Sequence, residues 1–145
     1  MKVPSDLRAF VASLNAADVK YLIVGGYAVA FHGRPRFTGG MDIFVARSPD
    51  NAEKLIAAIA HFGFEGLNLT TSDFLEPDAI VQLGYPPNRI DLLTNIDAVS
   101  FDEAYGQRVL GKLDDIDAPF ISRHLLKRNK LATGRPKDIA DADSL

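Results

Sequence analysis

The spacing of hydrophobic positions changes from segment to segment, and each change marks an element. From Ser5 onward, Leu7, Phe10, Val11 and Leu14 recur at helical spacing, which predicts a first helix capped by Ser5. Tyr21-Leu22-Ile23-Val24 is an unbroken run of strand formers stopped by Gly25-Gly26. Tyr27 to His32 then reads as a short helix closed by Gly33, and Arg34-Pro35-Arg36 breaks regularity. A second strand runs from Met41 to Ala46. Ser48-Pro49 starts a longer helix whose buried stripe is Leu55, Ile56, Ile59 and Phe62, ended by Gly63-Phe64-Glu65-Gly66.

Thr71 to Pro77 reads as a turn or a single helical turn. Ala79 to Leu83 and Arg89 to Leu93 are two further strands, joined hairpin-fashion by Tyr85-Pro86-Pro87-Asn88. Phe101 to Gln107 fits a short helix. Val109 to Leu113 and Ala118 to Ile121 are expected as edge strands around the acidic turn Asp114-Asp115-Ile116-Asp117. Ser122 caps a basic helix, and Lys137 to Leu145 forms a last helical turn or two. No repeat or linker interrupts the series. The pattern predicts one α/β (α+β) domain over residues 1–145, a mixed β-sheet flanked by helices.

Composition narrows the classes. The chain has 145 residues, 47% of them hydrophobic, enough to bury a real core. No window approaches the ~20 apolar residues of a membrane span, and Met1 to Asp6 lacks the apolar stretch of a secretory signal, so a cytoplasmic protein without membrane contact is expected. The absence of cysteine excludes disulfides, thiolate catalysis and Cys-ligated zinc. The net charge of −3 argues against a protein-wide polyanion surface. Yet Arg123, Lys127, Arg128, Lys130, Arg135 and Lys137 follow one another with no intervening Asp or Glu. That cluster is either a solvated helix face or a confined site for an anion such as phosphate.

Three features carry candidate chemistry. Gly25-Gly26 sits between a strand and a helix, where glycine admits close backbone approach and the helix N-terminus offers free N–H groups to a phosphate. In Thr38-Gly39-Gly40-Met41-Asp42-Ile43-Phe44-Val45, an Asp lies in an otherwise apolar strand. Arg89-Ile90-Asp91-Leu92-Leu93 embeds a second Asp in the same way. Isolated carboxylates in apolar strands are costly. If the strands are neighbours the two acids meet, and such a pair favours a divalent cation.

Strand, Gly-Gly, helix, Thr-x-acid-x-Asp, apolar run and a later strand Asp together resemble the signature of the polymerase-beta-like nucleotidyltransferase superfamily. The stretch Tyr21 to Phe64 and the ending Arg128 to Asp138 are similar to small bacterial members related to the abortive-infection (type IV) toxins. The resemblance implies a nucleotidyltransferase fold that moves a nucleoside monophosphate from an NTP to a hydroxyl acceptor with Mg2+, or Mn2+ in its place. It makes Asp42 and Asp91 metal ligands and Gly25 and Gly26 the phosphate cradle. Arg36, Thr38 and Lys130 become nucleotide contacts, with Lys137 and Asp138 at the rim. The implied acceptor is an RNA 3′ end such as tRNA, a protein or a small molecule, and a toxin role would bring a cognate antitoxin.

One position departs from that signature. The family places Asp or Glu two residues before Asp42, where this chain has Gly40. Alternation puts positions 40 and 42 on one face, so an acid at 40 would complete a two-metal site and its loss impairs catalysis. A non-catalytic nucleotide-binding relative is therefore the alternative, and a purely protein-binding toxin–antitoxin partner a third reading. His32 reads as a packed helix-end residue, and His61 and His124 as structural. Of Arg34 and Arg36, one is a phosphate or ribose contact, or they form surface salt bridges. Tyr27 and Phe37 are core aromatics or base-stacking platforms. Asp114, Asp115 and Asp117 form a solvated turn without the glycine and distal Glu of a calcium loop.

Overall fold

The computed structural model describes residues 1–33, 35–63 and 68–145. Arg34 and the Phe64-Glu65-Gly66 helix stop lie outside those residues. In order the elements are α1 (Ser5–Ala16), β1 (Tyr21–Val24), α2 (Gly25–His32), β2 (Gly40–Val45), α3 (Pro49–Phe62) and a 3-10 turn at Thr71–Phe74. β3 (Ile80–Leu83), β4 (Arg89–Leu93), α4 (Phe101–Gly106), β5 (Val109–Leu113), β6 (Ile116–Phe120), α5 (Arg123–Thr133) and α6 (Pro136–Asp143) follow. This is a mixed α/β protein with one six-stranded sheet ordered β3-β4-β2-β1-β6-β5. β2 runs parallel to β4, and β1 parallel to β6; the other neighbours are antiparallel.

The apolar patterning explains the packing. Leu7, Phe10, Val11 and Leu14 of α1 are buried, as is all of β1. Leu55 and Ile59 of α3 are buried, and Ile56 and Phe62 pack on the same core. Asn51, on the first turn of α3, accepts the Lys20 N–H at 2.8 Å and donates to the carbonyls of Lys20 and Ala46. It thereby ties the start of α3 to β1 and to the end of β2.

Two expectations change. Ser5 is the first helical residue rather than the cap; Pro4 occupies the cap position, and no side chain bonds there. Proline suits that place because its fixed φ leads into the helix and no donor is lost. β6 is not an edge strand, because it lies between β1 and β5. Asp114, with φ 54°, tightens the β5–β6 connection so that Leu113 pairs with Ile116 and β6 begins earlier than the pattern indicated. No helix among the described residues is long and apolar enough to cross a membrane.

Candidate functional site

Parallel pairing of β2 with β4 sets Asp42 directly opposite Asp91 and Gly40 opposite Arg89. Paired residues of neighbouring strands share a face, so the two carboxylates meet as their alternation required. Asp91 is 8% exposed, and its Oδ1 has no hydrogen-bond partner; the nearest cation is Arg89 Nε at 3.2 Å. Burial pushes the Asp42 carboxyl up from 3.8 to about 6, and the Asp91 charge pushes the same way against the opposing pull of Lys130 and Arg89. With Asp91 buried and Asp42 half-buried at the cleft wall, the paired carboxylates are short of positive charge.

Gly25 is what lets Asp42 sit there. Its φ is +63°, in the left-handed region, and a Cβ at this position would lie 2.3 Å from Asp42 Oδ2. Helix α2 begins at Gly25 itself, two residues earlier than the sequence pattern indicated, so the carboxylate rests against the helix N-terminus. Gly26 has a different neighbour. A Cβ there would lie 2.9 Å from Thr38 Cγ2 and 3.3 Å from an Arg36 terminal nitrogen. Thr38 donates to the Gly40 carbonyl at 3.1 Å, holding the segment before β2 over the start of α2.

A cleft of about 410 Å3 opens at this point, lined by Gly26, Arg36, Phe37, Thr38, Gly39, Gly40, Asp42, Arg89, Lys130, Arg135, Lys137 and Asp138. A second cavity of about 240 Å3 lies on the other side of Asp42 and shares Lys130, Arg135 and Asp138 with the first. Its remaining wall is Val24, Gly25, Ile80, Leu93 and Ile96 with Asn95, Asp97, Asn129 and Thr133, so Gly25 faces this cavity and Gly26 the first. A cavity of about 530 Å3 near Arg47, Ser48 and Phe101 contains none of the expected site residues.

Lys130 joins the cleft, but its charge is already engaged. It is buried and donates to Asp138 Oδ1 at 3.1 Å and Asp141 Oδ2 at 3.2 Å. Asp138 also accepts from Thr133 and from Arg135 Nε, each at 2.7 Å. Burial alone would raise the Asp138 pKa; the bonds from Thr133, Lys130 and Arg135 outweigh it and hold the carboxyl below its ordinary value. Arg36 closes the network through Asp141. The cleft wall presents five cations (Arg36, Arg89, Lys130, Arg135, Lys137) and two carboxylates (Asp42, Asp138), while Asp91 and Asp141 line neither cavity and are paired with Arg89 and with Arg36 and Lys130, respectively.

The basic run of Arg123 to Lys137 thus divides. Arg128 pairs with Glu103, and Arg123 reaches the carbonyls of His32 and Leu145, all outside the cleft. Phe37 is 87% exposed on the cleft rim, whereas Tyr27 is buried at 8%. His32 packs at the end of α2 with Nε2 2.6 Å from the Ile121 carbonyl, and burial lowers its pKa. Asp115 and Asp117 are exposed ion-pair partners of Arg8 and Lys112.

Position 40 does not behave as alternation alone implied. A Cβ on Gly40 would lie 2.4 Å from the Arg89 carbonyl oxygen and 3.1 Å from the Arg89 Cβ. The backbone of β2 approaches β4 so closely that no side chain fits without moving one strand. Two acids that could have replaced it are engaged elsewhere: Asp73 accepts the Thr70 N–H in a capping box, and Asp50 pairs with Lys54. Among the described residues no group of three or more His, Cys, Asp or Glu is placed to hold a metal. By donor chemistry Asp42 and Asp91 fit one hard divalent cation, while a three-carboxylate, two-cation set does not fit these residues. Sequence reasoning missed Arg89 and Asp141. Arg89 was within reach, since it stands two residues before Asp91 and so shares its face; Asp141 depended on how α6 folds back on α5. A scan against protein-family models finds no match for the chain, and a search of curated proteins finds none either.

Proposed function

We propose that the chain is a nucleotidyltransferase of reduced power that binds a nucleoside triphosphate in the cleft between β2, β4 and α5–α6. The observation that supports this best is the register of Asp42 opposite Asp91 on parallel strands, at the N-terminus of α2 and beneath a cluster of basic side chains. Asp42 and Asp91 would hold one divalent cation, which when bound screens the triphosphate and withdraws charge from the α-phosphorus. The start of α2 and the side chains of Arg135 and Lys137 face the phosphate tail, while Thr38 fixes the segment over it. In the reaction an acceptor hydroxyl oxygen bonds to the α-phosphorus as the α–β bridge breaks. Pyrophosphate leaves, and the hydroxyl proton passes to solvent.

The close contact at Gly40 favours a second reading, a nucleotide-binding protein that no longer transfers. Incubation with each α-labelled NTP, Mg2+ and panels of RNA, protein and small-molecule acceptors separates the two. Transfer that disappears in Asp42→Asn and Asp91→Asn supports the enzyme. NTP binding without transfer or pyrophosphate release supports the binding protein.

A further inference from the structure

The face that carries the two acids carries a cation as well. Arg89 stands two residues before Asp91 and directly across from Gly40, so its side chain shares the face of both aspartates. Its Nε lies 3.2 Å from Asp91 Oδ1, and neither atom has a hydrogen-bond partner, so the contact is electrostatic. The side chain is 40% exposed and lines the cleft beside Gly40 and Asp42. A Cβ at 40 would press on the Arg89 backbone and Cβ, so glycine at 40 is what lets β2 lie this close to the strand that carries Arg89.

We propose that Arg89 is a built-in cation of this site, supplying beside Asp91 the positive charge that a second metal ion would otherwise bring, so that the cleft takes a polyphosphate with at most one divalent cation. The inference rests on the nucleotide reading of the cleft and goes beyond it. A guanidinium has five donors in a fixed fork; with Nε turned toward Asp91, the terminal nitrogens remain for phosphate oxygens. A second dication at Asp91 would meet that charge at a few ångströms in a partly dry cleft, where repulsion is strong. Two carboxylates offset by one guanidinium leave a single negative charge on this face, enough to recruit one dication and not two.

Inorganic tripolyphosphate is the direct probe, because it carries no base or sugar. Its affinity is measured by calorimetry in EDTA and in excess Mn2+, and Mn2+ stoichiometry by electron paramagnetic resonance. The parent is compared with Arg89→Ala and Arg89→Lys, with circular dichroism to check folding. The parent should bind tripolyphosphate in EDTA and hold one Mn2+ per chain in its presence. Arg89→Ala should lose about tenfold or more of the EDTA affinity, in line with a charge-assisted contact, and lose less in Mn2+. Arg89→Lys should recover most of the loss. Two tightly held Mn2+ per parent chain, or equal EDTA affinities for parent and Arg89→Ala, overturns the role of Arg89. Binding that occurs only with Mn2+ overturns it too while leaving the nucleotide site standing. Failure of tripolyphosphate and of every NTP to bind under either condition removes the nucleotide reading itself.

Discussion

At the scale of single residues, the contacts around Gly40 and Asp42 decide what the site can hold. Restoring an acid through Gly40→Asp meets the Arg89 carbonyl 2.4 Å from the new Cβ. Overpacking of this kind costs about 1–3 kcal/mol, so the variant is expected to unfold at lower urea than the parent without gaining a second Mn2+. Denaturant melts and Mn2+ titration check this; a variant of parental stability that binds two ions would contradict it. Asp42 gives a pH prediction for the metal-free protein. Its folded pKa of about 6 exceeds the ordinary 3.8, so the folded state keeps a proton that the unfolded chain has lost. The stability this contributes is full below about 4 and is lost as pH rises through about 6. Parent minus Asp42→Asn stability, measured by calorimetry in EDTA, should therefore fall across that window. A flat difference would place Asp42 in water.

At the scale of elements, Lys130 is the pin between α5 and α6. Its ammonium bridges two buried carboxylates of α6, and Arg36 and Arg135 complete the network from either side. Removing the ammonium while keeping bulk, as in Lys130→Met, leaves Asp138 and Asp141 under-compensated and is expected to cost about 3 kcal/mol in equilibrium unfolding. Because Asp138 is held below its ordinary pKa, its contribution is present above the usual carboxylate range and lost as pH falls through the lowered value. The loss caused by Lys130→Met should shrink at acid pH for that reason. The sequence pattern disclosed a basic helix followed by further helical turns, and it disclosed Lys130. It could not disclose that the charge is shared, because the partners lie eight and eleven residues on and meet Lys130 only after the chain turns back at Gly134. The elements themselves were legible wherever apolar periodicity was strong, as in α1, β1, α3 and β4. The inner position of β6 was not, since strand order depends on partners that periodicity does not name.

At the scale of the whole molecule, the sheet order is what makes a site. Placing β2 between β1 and β4 brings Asp42 beside Asp91, sets the start of α2 under Asp42 and leaves α5–α6 to close the cleft. The meeting of the two acids was legible from apolar strands that each tolerate one carboxylate. The close approach of β2 to the Arg89 carbonyl was not, because it is a property of backbone placement rather than of residue type. In the proposed function, Asp42 and Asp91 couple a divalent cation to nucleoside triphosphate binding. Calorimetric titration of the four NTPs into parent and Asp42→Asn, with Mg2+ and with EDTA, tests it most directly. At least one NTP should bind the parent about tenfold tighter with Mg2+ (about 1.4 kcal/mol), and Asp42→Asn should show less than about a twofold difference. No NTP binding by the folded parent, or the same Mg2+ dependence in Asp42→Asn, would contradict the account.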